Sequence, residues 1–416
     1  MAAVNLYKPA LRFAQRNGLC PLSSVSSSSS TNGDFYQQHC NYSQSVPVKI
    51  LKNVSTTSLK RGTGGRSSFN GIVCTVFGNT GFLGRYLCNR LGKIGTQLIL
   101  PYRGDLYESR PLKLCGDLGQ VLFHPFDIRD EDSILKCIKY SNVVVNLIGR
   151  EYETKNFKFD DVHVKAARTL ARLCRETPSV ERFIHVSCLT ANPNHTPILL
   201  KEGGKYFSSK WEGELAVREE FPDATIVKPA TIYGQEDRFL NCYGNRWRRH
   251  FRTVPLWEKG EKTVKQPIWV GDVAGGITEL VKDPSTAGKT YQFLGPERYK
   301  LSDLVDWIHG LIRRNAYDYG YRRLHLKHTP LFRMRVSFLE AIATAYPIAY
   351  SHWQGLELEH TSDIAIEGLP TLEDLGINPV KLGSRIEWEV KPYKIEAHYM
   401  EELGEFPKPA PPQPLL

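Results

Sequence analysis

The sequence predicts an α/β fold, a doubly wound parallel sheet of the Rossmann type followed by a smaller mixed C-terminal domain. A glycine-rich turn separates a β-branched run from a helical pattern in "GIVCTVFGNTGFLGRYLCNRLGKIG". Further strand-like runs alternate with helical patterns, as in βαβ units. The 416 residues, 41% of them hydrophobic, suffice for two such domains. We expect the sheet domain over residues 71–280 and the smaller domain over 281–403.

The first 70 residues differ in charge from the rest of the chain. They carry eight Lys or Arg residues against Asp34 alone, which is seven of the ten net positive charges. The opening 30 residues are basic, rich in serine and free of acids, a composition typical of a mitochondrial transit peptide or of a disordered tail. We predict a transit peptide over residues 1–45, an N-terminal extension over 46–70 and a matrix location.

Two further features narrow the class of protein. No run approaches the roughly 18 apolar residues of a transmembrane helix, so any membrane contact should be peripheral. The nine cysteines form no C-x-x-C pair, and several lie in apolar runs, as Cys74 does in "GIVCTVFG". Such thiols behave as small buried hydrophobes, so we expect neither a disulfide framework nor a metal site.

The glycine-rich turn has the spacing of a dinucleotide-binding loop. One glycine permits the tight turn, another lets the backbone approach a pyrophosphate, and the third lets the helix pack on the strand. The phosphates would lie at the helix N-terminus, where unpaired N–H groups converge. The candidate cofactor-binding residues of this segment are Gly78, Asn79, Thr80, Gly81, Phe82, Leu83 and Gly84.

The second strand-like run, "TQLILPYRGD", indicates which dinucleotide is bound. Arg103 follows this run, nineteen residues after Gly84. An arginine at this point pairs with the 2′-phosphate of NADP, whereas an acidic residue accepts hydrogen bonds from the ribose of NAD. Arg103 therefore favours NADP(H), although Asp105 could still reach a ribose and a surface arginine needs no ligand.

Four more strand-like runs follow: "QVLFHPFDI", "NVVVNLIG", "RFIHVSC" and "ATIVKPATIYG". Right-handed crossovers would join them into one parallel sheet with the nucleotide across its carboxyl ends. Asp127 and Asn146 fall at two of these strand ends and are candidate cofactor-binding residues. The alternative is that they are turn or capping groups.

Several motifs in this order resemble the extended short-chain dehydrogenase/reductase family: "VFGNTGFLGR", "DIRD", "VVVNLIG", "YFSSK" and "IVKPATIYG". Within it, "LILPYRGD", "VKPATIYGQEDRFLN" and "LPTLEDLGI" resemble the nucleotide-binding accessory subunits of mitochondrial respiratory complex I, over about residues 61–400. This resemblance implies tightly held NADPH, other complex I subunits as partners, a position on the matrix side of the inner membrane and no established turnover. Ser187 and Pro229, which lie in the matching motifs, join the cofactor-binding candidates.

The motif "YFSSK" carries the pair that reacts in active relatives. Tyr206 and Lys210 are four residues apart, which places them on one helical face. The family resemblance assigns proton donation to the tyrosine hydroxyl, while the lysine lowers its pKa and binds the nicotinamide ribose. We expect Lys210 to bind the cofactor, and Tyr206 to be either catalytic or a buried aromatic that closes the pocket.

The third group of this mechanism is a hydroxyl beyond the fifth strand. In "HVSCLT" the family pattern, placed on this sequence, puts Leu189 at that position, with Ser187 and Thr190 flanking it. Loss of one such donor typically costs about 2.7–4 kcal/mol of transition-state stabilisation. The catalytic site is therefore predicted to be impaired, because the group that polarises the carbonyl is displaced.

The C-terminal third is rich in basic and aromatic residues. Its basic residues are Arg246, Arg248, Arg249 and Arg252, around Trp247 and Phe251, and then Arg313, Arg314, Arg322, Arg323, Lys327, Arg333 and Arg335, with Asp318 opposing. We expect contact with partner subunits or anionic inner-membrane lipid in preference to nucleic acid. "FLEAIATAYPIAYSHW" is either an amphipathic helix or a core helix, and Pro347 would end it. The Pro-rich tail, 404–416, suits contact with another subunit.

Two functional hypotheses follow. In the first, the chain is a non-catalytic accessory subunit that binds NADPH as a structural cofactor. In the second, it is an active NADP-dependent reductase or epimerase that uses Tyr206 and Lys210. The displaced hydroxyl and the long tail favour the first, whereas the intact Tyr–Lys spacing favours the second.

Overall fold

The computed structural model describes residues 60–200, 204–245, 248, 252–313, 321–343, 352–395 and 408–415. Its centre is a seven-stranded sheet of β1 (Val73–Phe77), β2 (Gln97–Tyr102), β3 (Val121–Pro125), β4 (Val143–Asn146), β5 (Arg182–Val186), β6 (Thr225–Pro229) and β11 (Thr290–Phe293). All neighbours are parallel, in the order β3-β2-β1-β4-β5-β6-β11. The order reverses between β1 and β4, where such sheets bind ligands at the carboxyl ends of their strands.

Helices cover both faces of this sheet. One face carries α1 (Phe82–Lys93) and α7 (Val270–Lys282), and the other carries α3 (Glu131–Ile138), α4 (Ala166–Glu176) and α5 (Lys205–Glu220). Val143 and Val145 of β4 belong to the core beneath α1 and α7, whereas Val144 belongs to the opposite core. This alternation follows from the two-residue period of a strand. The predicted doubly wound parallel sheet is confirmed.

The smaller part contains short paired strands and helices. β7 (Ile232–Tyr233) pairs with β10 (Ile268–Trp269), β8 (Thr253–Leu256) with β13 (Arg322–His325) and β9 (Val264–Lys265) with β12 (Tyr299–Lys300). The other helices are α2 (Leu106–Ser109), α6 (Leu240–Gly244), α8 (Leu301–Leu311), α9 (Pro330–Ala343), α10 (Trp353–His360) and α11 (Ile386–Val390). A second hydrophobic core joins α6, α8 and α11.

The predicted division at residues 280 and 281 stays a prediction. Residue 280 lies within α7, and β11, which follows it, is an edge strand of the main sheet. Among the described residues, no helix combines the length and the apolar character that a membrane crossing requires. The transit peptide 1–45 and most of the extension 46–70 lie outside the described residues.

One predicted contact residue is internal. Arg248 is buried, its Nη2 lies 2.8 Å from Glu359 Oε1 and donates to the Pro255 carbonyl oxygen at 2.7 Å, and its guanidinium packs against Phe332. The prediction that Arg248 contacts a partner or lipid is therefore wrong, because this charge is paired inside the protein. Arg246, Trp247, Arg249, Phe251, Arg314, Asp318 and Pro347 lie outside the described residues.

The described part of the Pro-rich tail contacts its own chain. The Leu415 backbone N–H donates to the Arg298 carbonyl oxygen at 2.7 Å, and Lys408 Nζ lies 3.2 Å from Glu387 Oε2. The tail is held at two points on the smaller part of the molecule. The prediction that it also contacts another subunit stays a prediction.

Candidate dinucleotide-binding site

The turn between β1 and α1 has the shape that its glycines predict. Gly78 has a φ of +81°, the left-handed region that glycine tolerates. A Cβ at Gly78 would lie 3.0 Å from the Leu147 carbonyl carbon, and one at Gly84 would lie 2.4 Å from the Gly78 carbonyl oxygen. Neither position has room for a side chain. Helix α1 begins at Phe82, so its first N–H groups lie beside this turn.

Asn79 fixes the turn from inside. Its fully buried side chain donates from Nδ2 to the Val76 carbonyl oxygen at 3.1 Å and to the Pro101 carbonyl oxygen at 2.6 Å. Its Oδ1 is buried and has no hydrogen-bonding partner among the described residues. Asn79 thus ties β1 to β2 and leaves one acceptor for a ligand or a water molecule.

The other residues of the turn have modest contacts. The Gly81 N–H donates to the Gly78 carbonyl oxygen, and Thr80 is half-buried with its carbonyl oxygen accepting from Arg85. Leu83 is half-buried against the main core. Phe82 lies against Gly234, where a Cβ would be 3.0 Å from the ring. The segment after β7 therefore covers the start of α1.

Two arginines meet one aromatic ring at the ends of β2 and β3. The guanidinium carbon of exposed Arg103 is 5.7 Å from the centre of the Phe157 ring, and that of Arg129 is 4.3 Å away. Arg129 also donates to the Asn156 carbonyl oxygen. Asp105, the alternative ribose acceptor, instead caps α2 by accepting the Tyr107 N–H at 2.9 Å. This arrangement offers a phosphate two cations.

Asp127 and Asn146 shape the chain at their strand ends. Asp127 Oδ1 accepts the Arg129 N–H at 2.9 Å in a local turn. Asn146 is buried, with Oδ1 accepting the Ile148 N–H at 3.0 Å and Nδ2 lying 3.2 Å from His185 Nδ1. Both side chains thus have local structural contacts, and their part in cofactor binding stays a prediction.

Ser187 belongs to a buried ion-pair network. Its hydroxyl donates to Glu214 Oε1 at 2.5 Å, and Lys228 Nζ lies 2.8 Å from Glu214 Oε2. Burial raises the pKa of the Glu214 carboxyl, while Lys228 and the Ser187 hydroxyl oppose that shift. The Ser187 proton is donated to Glu214, so this hydroxyl could meet a ligand only as an acceptor, and its role in cofactor binding stays a prediction. Pro229, at the end of β6, is buried and accepts the Leu189 N–H at 2.9 Å.

The Tyr206 hydroxyl lies in hydrogen-bonding contact with the thiol of Cys188. Burial, and then the interaction with Cys188, raises the pKa of Tyr206 well above its ordinary value. The tyrosine ring packs edge-on against His163 and Phe159, with centroids 5.5 and 6.1 Å away. Thr190 Oγ1 in turn donates to Cys188 Sγ at 3.6 Å. Leu189, expected next to the tyrosine, is buried.

Lys210 is a buried residue, and its Nζ has no hydrogen-bonding partner among the described residues. A Cβ at Gly149 would lie only 2.9 Å from its Nζ and 3.9 Å from His163 Nε2. Burial lowers the pKa of Lys210, and the nearby Cys188 and Glu214 oppose that shift. A lysine in this largely buried position, without a hydrogen-bonding partner from the described residues, favours a ligand that accepts hydrogen bonds.

Two neutral histidines complete the surroundings of Lys210. Burial, followed by the Lys210 charge, lowers the pKa of His163 to about 2 and that of His185 to about 3. His163 Nε2 accepts the Arg150 N–H at 3.1 Å, and its Nδ1 lies 2.9 Å from Ser209 Oγ. Both rings are therefore uncharged at neutral pH.

One short segment connects the two halves of the site. Residues 147–149 follow β4, and they lie against the glycine turn at Leu147 and against Lys210 at Gly149. The close turn, the free Asn79 acceptor and the unpaired Lys210 ammonium fit a dinucleotide laid along this edge of the sheet. When bound, a nicotinamide dinucleotide supplies hydride-transfer chemistry.

The family comparison agrees with this geometry. The sequence profile of the NAD dependent epimerase/dehydratase family matches residues 74–293, just over half of the chain. The chain belongs to the NAD dependent epimerase/dehydratase family. The matched residues run from β1 to β11 and so include every strand of the main sheet.

Within this family, the chain is similar to named mitochondrial proteins. It is 46% identical to NADH dehydrogenase (ubiquinone) 1 alpha subcomplex subunit 9, mitochondrial, of Rattus norvegicus, over 78% of this chain and 81% of that protein. It is 44% identical to the protein of the same name in Arabidopsis thaliana, over 66% of this chain and 65% of that protein. The NADH-ubiquinone oxidoreductase 40 kDa subunit of Neurospora crassa is 34% identical, over 82% and 84%.

Solved structures of family enzymes share the fold. The dTDP-glucose 4,6-dehydratase of Bacillus anthracis, in complex with NAD, has a TM-score of 0.56 and 15% identity, over 80% of this chain and 99% of that one. The corresponding dehydratase of Streptomyces venezuelae, with NAD bound, has a TM-score of 0.54 and 18% identity, over 80% and 100%. At this identity the likeness supports the fold alone.

Sequence reasoning missed four residues of the site. Arg129 was visible only as part of "DIRD", and Phe157 lies in a segment without a pattern. His163 lies in "FDDVHVKAARTLARLC", a run with a helical pattern, and Cys188 lies in "HVSCLT" between the residues that were considered. The alignment to the family placed Leu189 beside Tyr206, one residue away from Cys188. That Cys188 carries a thiol, which can form a hydrogen bond, was the one feature of the sequence that could have placed Cys188 and not Leu189 beside Tyr206.

Proposed function

We propose that the protein is a non-catalytic accessory subunit of mitochondrial respiratory complex I that holds NADPH as a structural cofactor. Its partners would be other subunits of that complex, and its place the matrix side of the inner membrane. The names of the mitochondrial relatives support the partners and the compartment. The observation that supports the cofactor role is the position of Lys210 Nζ, which lies against Gly149 and has no hydrogen-bonding partner among the described residues, so it can donate to a ligand.

The choice of NADPH over NADH rests on the two arginines at Phe157. A 2′-phosphate between Arg103 and Arg129 would receive charge-assisted hydrogen bonds, which contribute about 1.5–3 kcal/mol each. NADH lacks that phosphate and would leave both guanidiniums in solvent. The capping role of Asp105 removes the carboxylate that would have favoured a free ribose.

The absence of turnover rests on the tyrosine end of the site. A thiol is a weak hydrogen-bond donor, so Cys188 is a poor substitute for the hydroxyl that polarises a carbonyl. The raised pKa of Tyr206 reflects a buried phenol that keeps its proton. The Tyr–Lys spacing is nevertheless intact, and the active reductase or epimerase remains the competing hypothesis.

Nucleotide binding and assembly should fail together if the proposal is right. We expect Arg103→Ala to weaken NADPH binding by about 10–100-fold and leave NADH binding unchanged. Isothermal titration on the purified chain checks this, and assembly of the variant into the complex is followed in mitochondria. Arg110→Ala is the matched control, since exposed Arg110 also packs on an aromatic ring, that of Tyr107, at 5.2 Å.

Two results would contradict the proposal. Normal assembly of a variant that retains no nucleotide would show that the cofactor has no structural role. Oxidation of the bound NADPH during prolonged turnover of the native complex would support the reductase instead. One reduced NADPH per protein, unchanged by turnover, is the expected finding.

A further inference from the structure

Helix α9 exposes a row of large apolar side chains. Leu331, Met334, Phe338 and Ile342 are 61%, 68%, 66% and 38% exposed. Their spacing of three, four and four residues places them on one side of the helix. The row is about 16 Å long at 1.5 Å per residue. We call these four residues the α9 stripe.

The protein fixes the direction in which the α9 stripe points. Phe332 and Val336, on another side of the helix, are fully buried and pack with Leu326 and Leu356. The Trp353 indole N–H donates to the Ser337 hydroxyl at 3.0 Å. Because α9 is anchored through a different face, the exposure of the stripe is a property of the folded molecule.

The charged residues in and next to α9 are mostly cations. Residues 321–343 contain five Lys or Arg residues and one carboxylate, that of Glu340. Arg322, Lys327 and Arg333 are exposed and form no ion pair with a described residue. Glu340 is half-buried and accepts the Trp353 backbone N–H. Arg333 lies on α9 itself and Lys327 on the short turn that packs against α9, so cations outnumber the one carboxylate near the stripe.

We infer that α9 lies flat on an anionic phospholipid surface, with the α9 stripe in the acyl-chain boundary and the neighbouring cations on the headgroups. A helix with a narrow apolar row beside Lys and Arg is typical of interfacial membrane helices. Four side chains on one helix provide little area for a stable protein interface, which buries about 800 Å² per partner. The inference adds a membrane surface to the proposed matrix location.

Vesicle flotation of the purified full-length chain tests the inference. The chain is mixed with phosphatidylcholine vesicles, alone or with about one-fifth cardiolipin, at low and high salt. We expect flotation with the anionic vesicles and weaker flotation at high salt. The double variant Met334→Ser/Phe338→Ser should lower the partition coefficient at least about tenfold. The double variant Arg322→Gln/Arg333→Gln should lower the partition coefficient on the anionic vesicles.

The matched control carries Leu114→Ser and Leu118→Ser, which alter two exposed leucines before β3. It should float like the original chain, and circular dichroism should show all variants folded. The inference is overturned if the original chain does not float or if the stripe variant floats equally well. A stripe variant that floats normally but fails to assemble would assign the stripe to a protein partner. Arg103→Ala should float normally, which separates this test from the nucleotide proposal.

Discussion

The glycine-turn end and the tyrosine end of the site differ in what they leave for a ligand. At the turn, a positive φ at Gly78 and the close backbone contacts of Gly78 and Gly84 fix a tight loop, and Asn79 keeps an acceptor without a partner among the described residues. At the other end, Ser187 donates to Glu214 and Tyr206 lies against Cys188. Groups that bind a nucleotide are kept available, whereas groups that would act on a substrate are paired within the protein.

The largest expected effect is at the turn itself. A Cβ at Gly84 would lie 2.4 Å from the Gly78 carbonyl oxygen and 2.7 Å from Asn79 Cα, both backbone atoms. Gly84→Ala must therefore displace the turn. We expect an unfolding free energy lower by about 1–3 kcal/mol and nucleotide binding at least about 100-fold weaker. Denaturant unfolding and titration calorimetry measure the two quantities.

Gly355→Ala is the control for this substitution. Gly355 lies within α10, and a Cβ there would meet no atom within 4 Å. Alanine in a helix is more favourable than glycine by about 0.8–1.0 kcal/mol, so this variant should be slightly more stable and bind nucleotide normally. Full nucleotide binding by Gly84→Ala would show that the turn does not hold the ligand.

Lys210→Met should give opposite effects on stability and binding. Methionine fills similar space without the cost of a buried charge, so the nucleotide-free variant should unfold at a free energy about 1 kcal/mol higher. Nucleotide binding should be about tenfold weaker or more, because a charge-assisted hydrogen bond is lost. Thermal unfolding with and without NADPH measures both changes.

A drop in the stability of the nucleotide-free variant would mean that Lys210 stabilises the protein through Glu214 or Glu151. Those carboxylates are among the charges that raise the Lys210 pKa against the effect of burial. Lys210 would then resemble the groups at the tyrosine end of the site, which are paired within the protein and not kept available for a ligand. Unchanged stability and unchanged binding would remove Lys210 from the site altogether.

The nucleotide-binding half was predictable from sequence because its signals are local. The glycine spacing, the strand before it and the helix after it lie within 25 residues, and each has a backbone cause. Arg103 was found for the same reason, since it ends the next strand. Arg129 and Phe157 were missed because their meeting depends on how separate loops pack.

The tyrosine end was predicted less well because side-chain partners depend on register. Whether Cys188 or Leu189 faces Tyr206 depends on how the segment after β5 turns, and no sequence pattern states it. The internal role of Arg248 was missed similarly, because its partner Glu359 is 111 residues away. The α9 stripe could be predicted as an amphipathic pattern, but not as exposed.

The smallest expected effect is that of Tyr206→Phe. The change removes a hydroxyl whose neighbour is the Cys188 thiol, so we expect an unfolding free energy within about 1 kcal/mol of the original. Nucleotide binding should change less than about twofold, and NADPH oxidation should be equally slow in both proteins.

Cys188→Ser tests the cause, since it places a hydroxyl donor beside Tyr206. If NADPH oxidation appears in Cys188→Ser and disappears in Cys188→Ser/Tyr206→Phe, the tyrosine end retains chemistry that the thiol suppresses. If Tyr206→Phe alone lowers a measurable rate of NADPH oxidation, the tyrosine takes part in a reaction of the bound nucleotide. The contrast between a binding end and an inactive end would then be wrong.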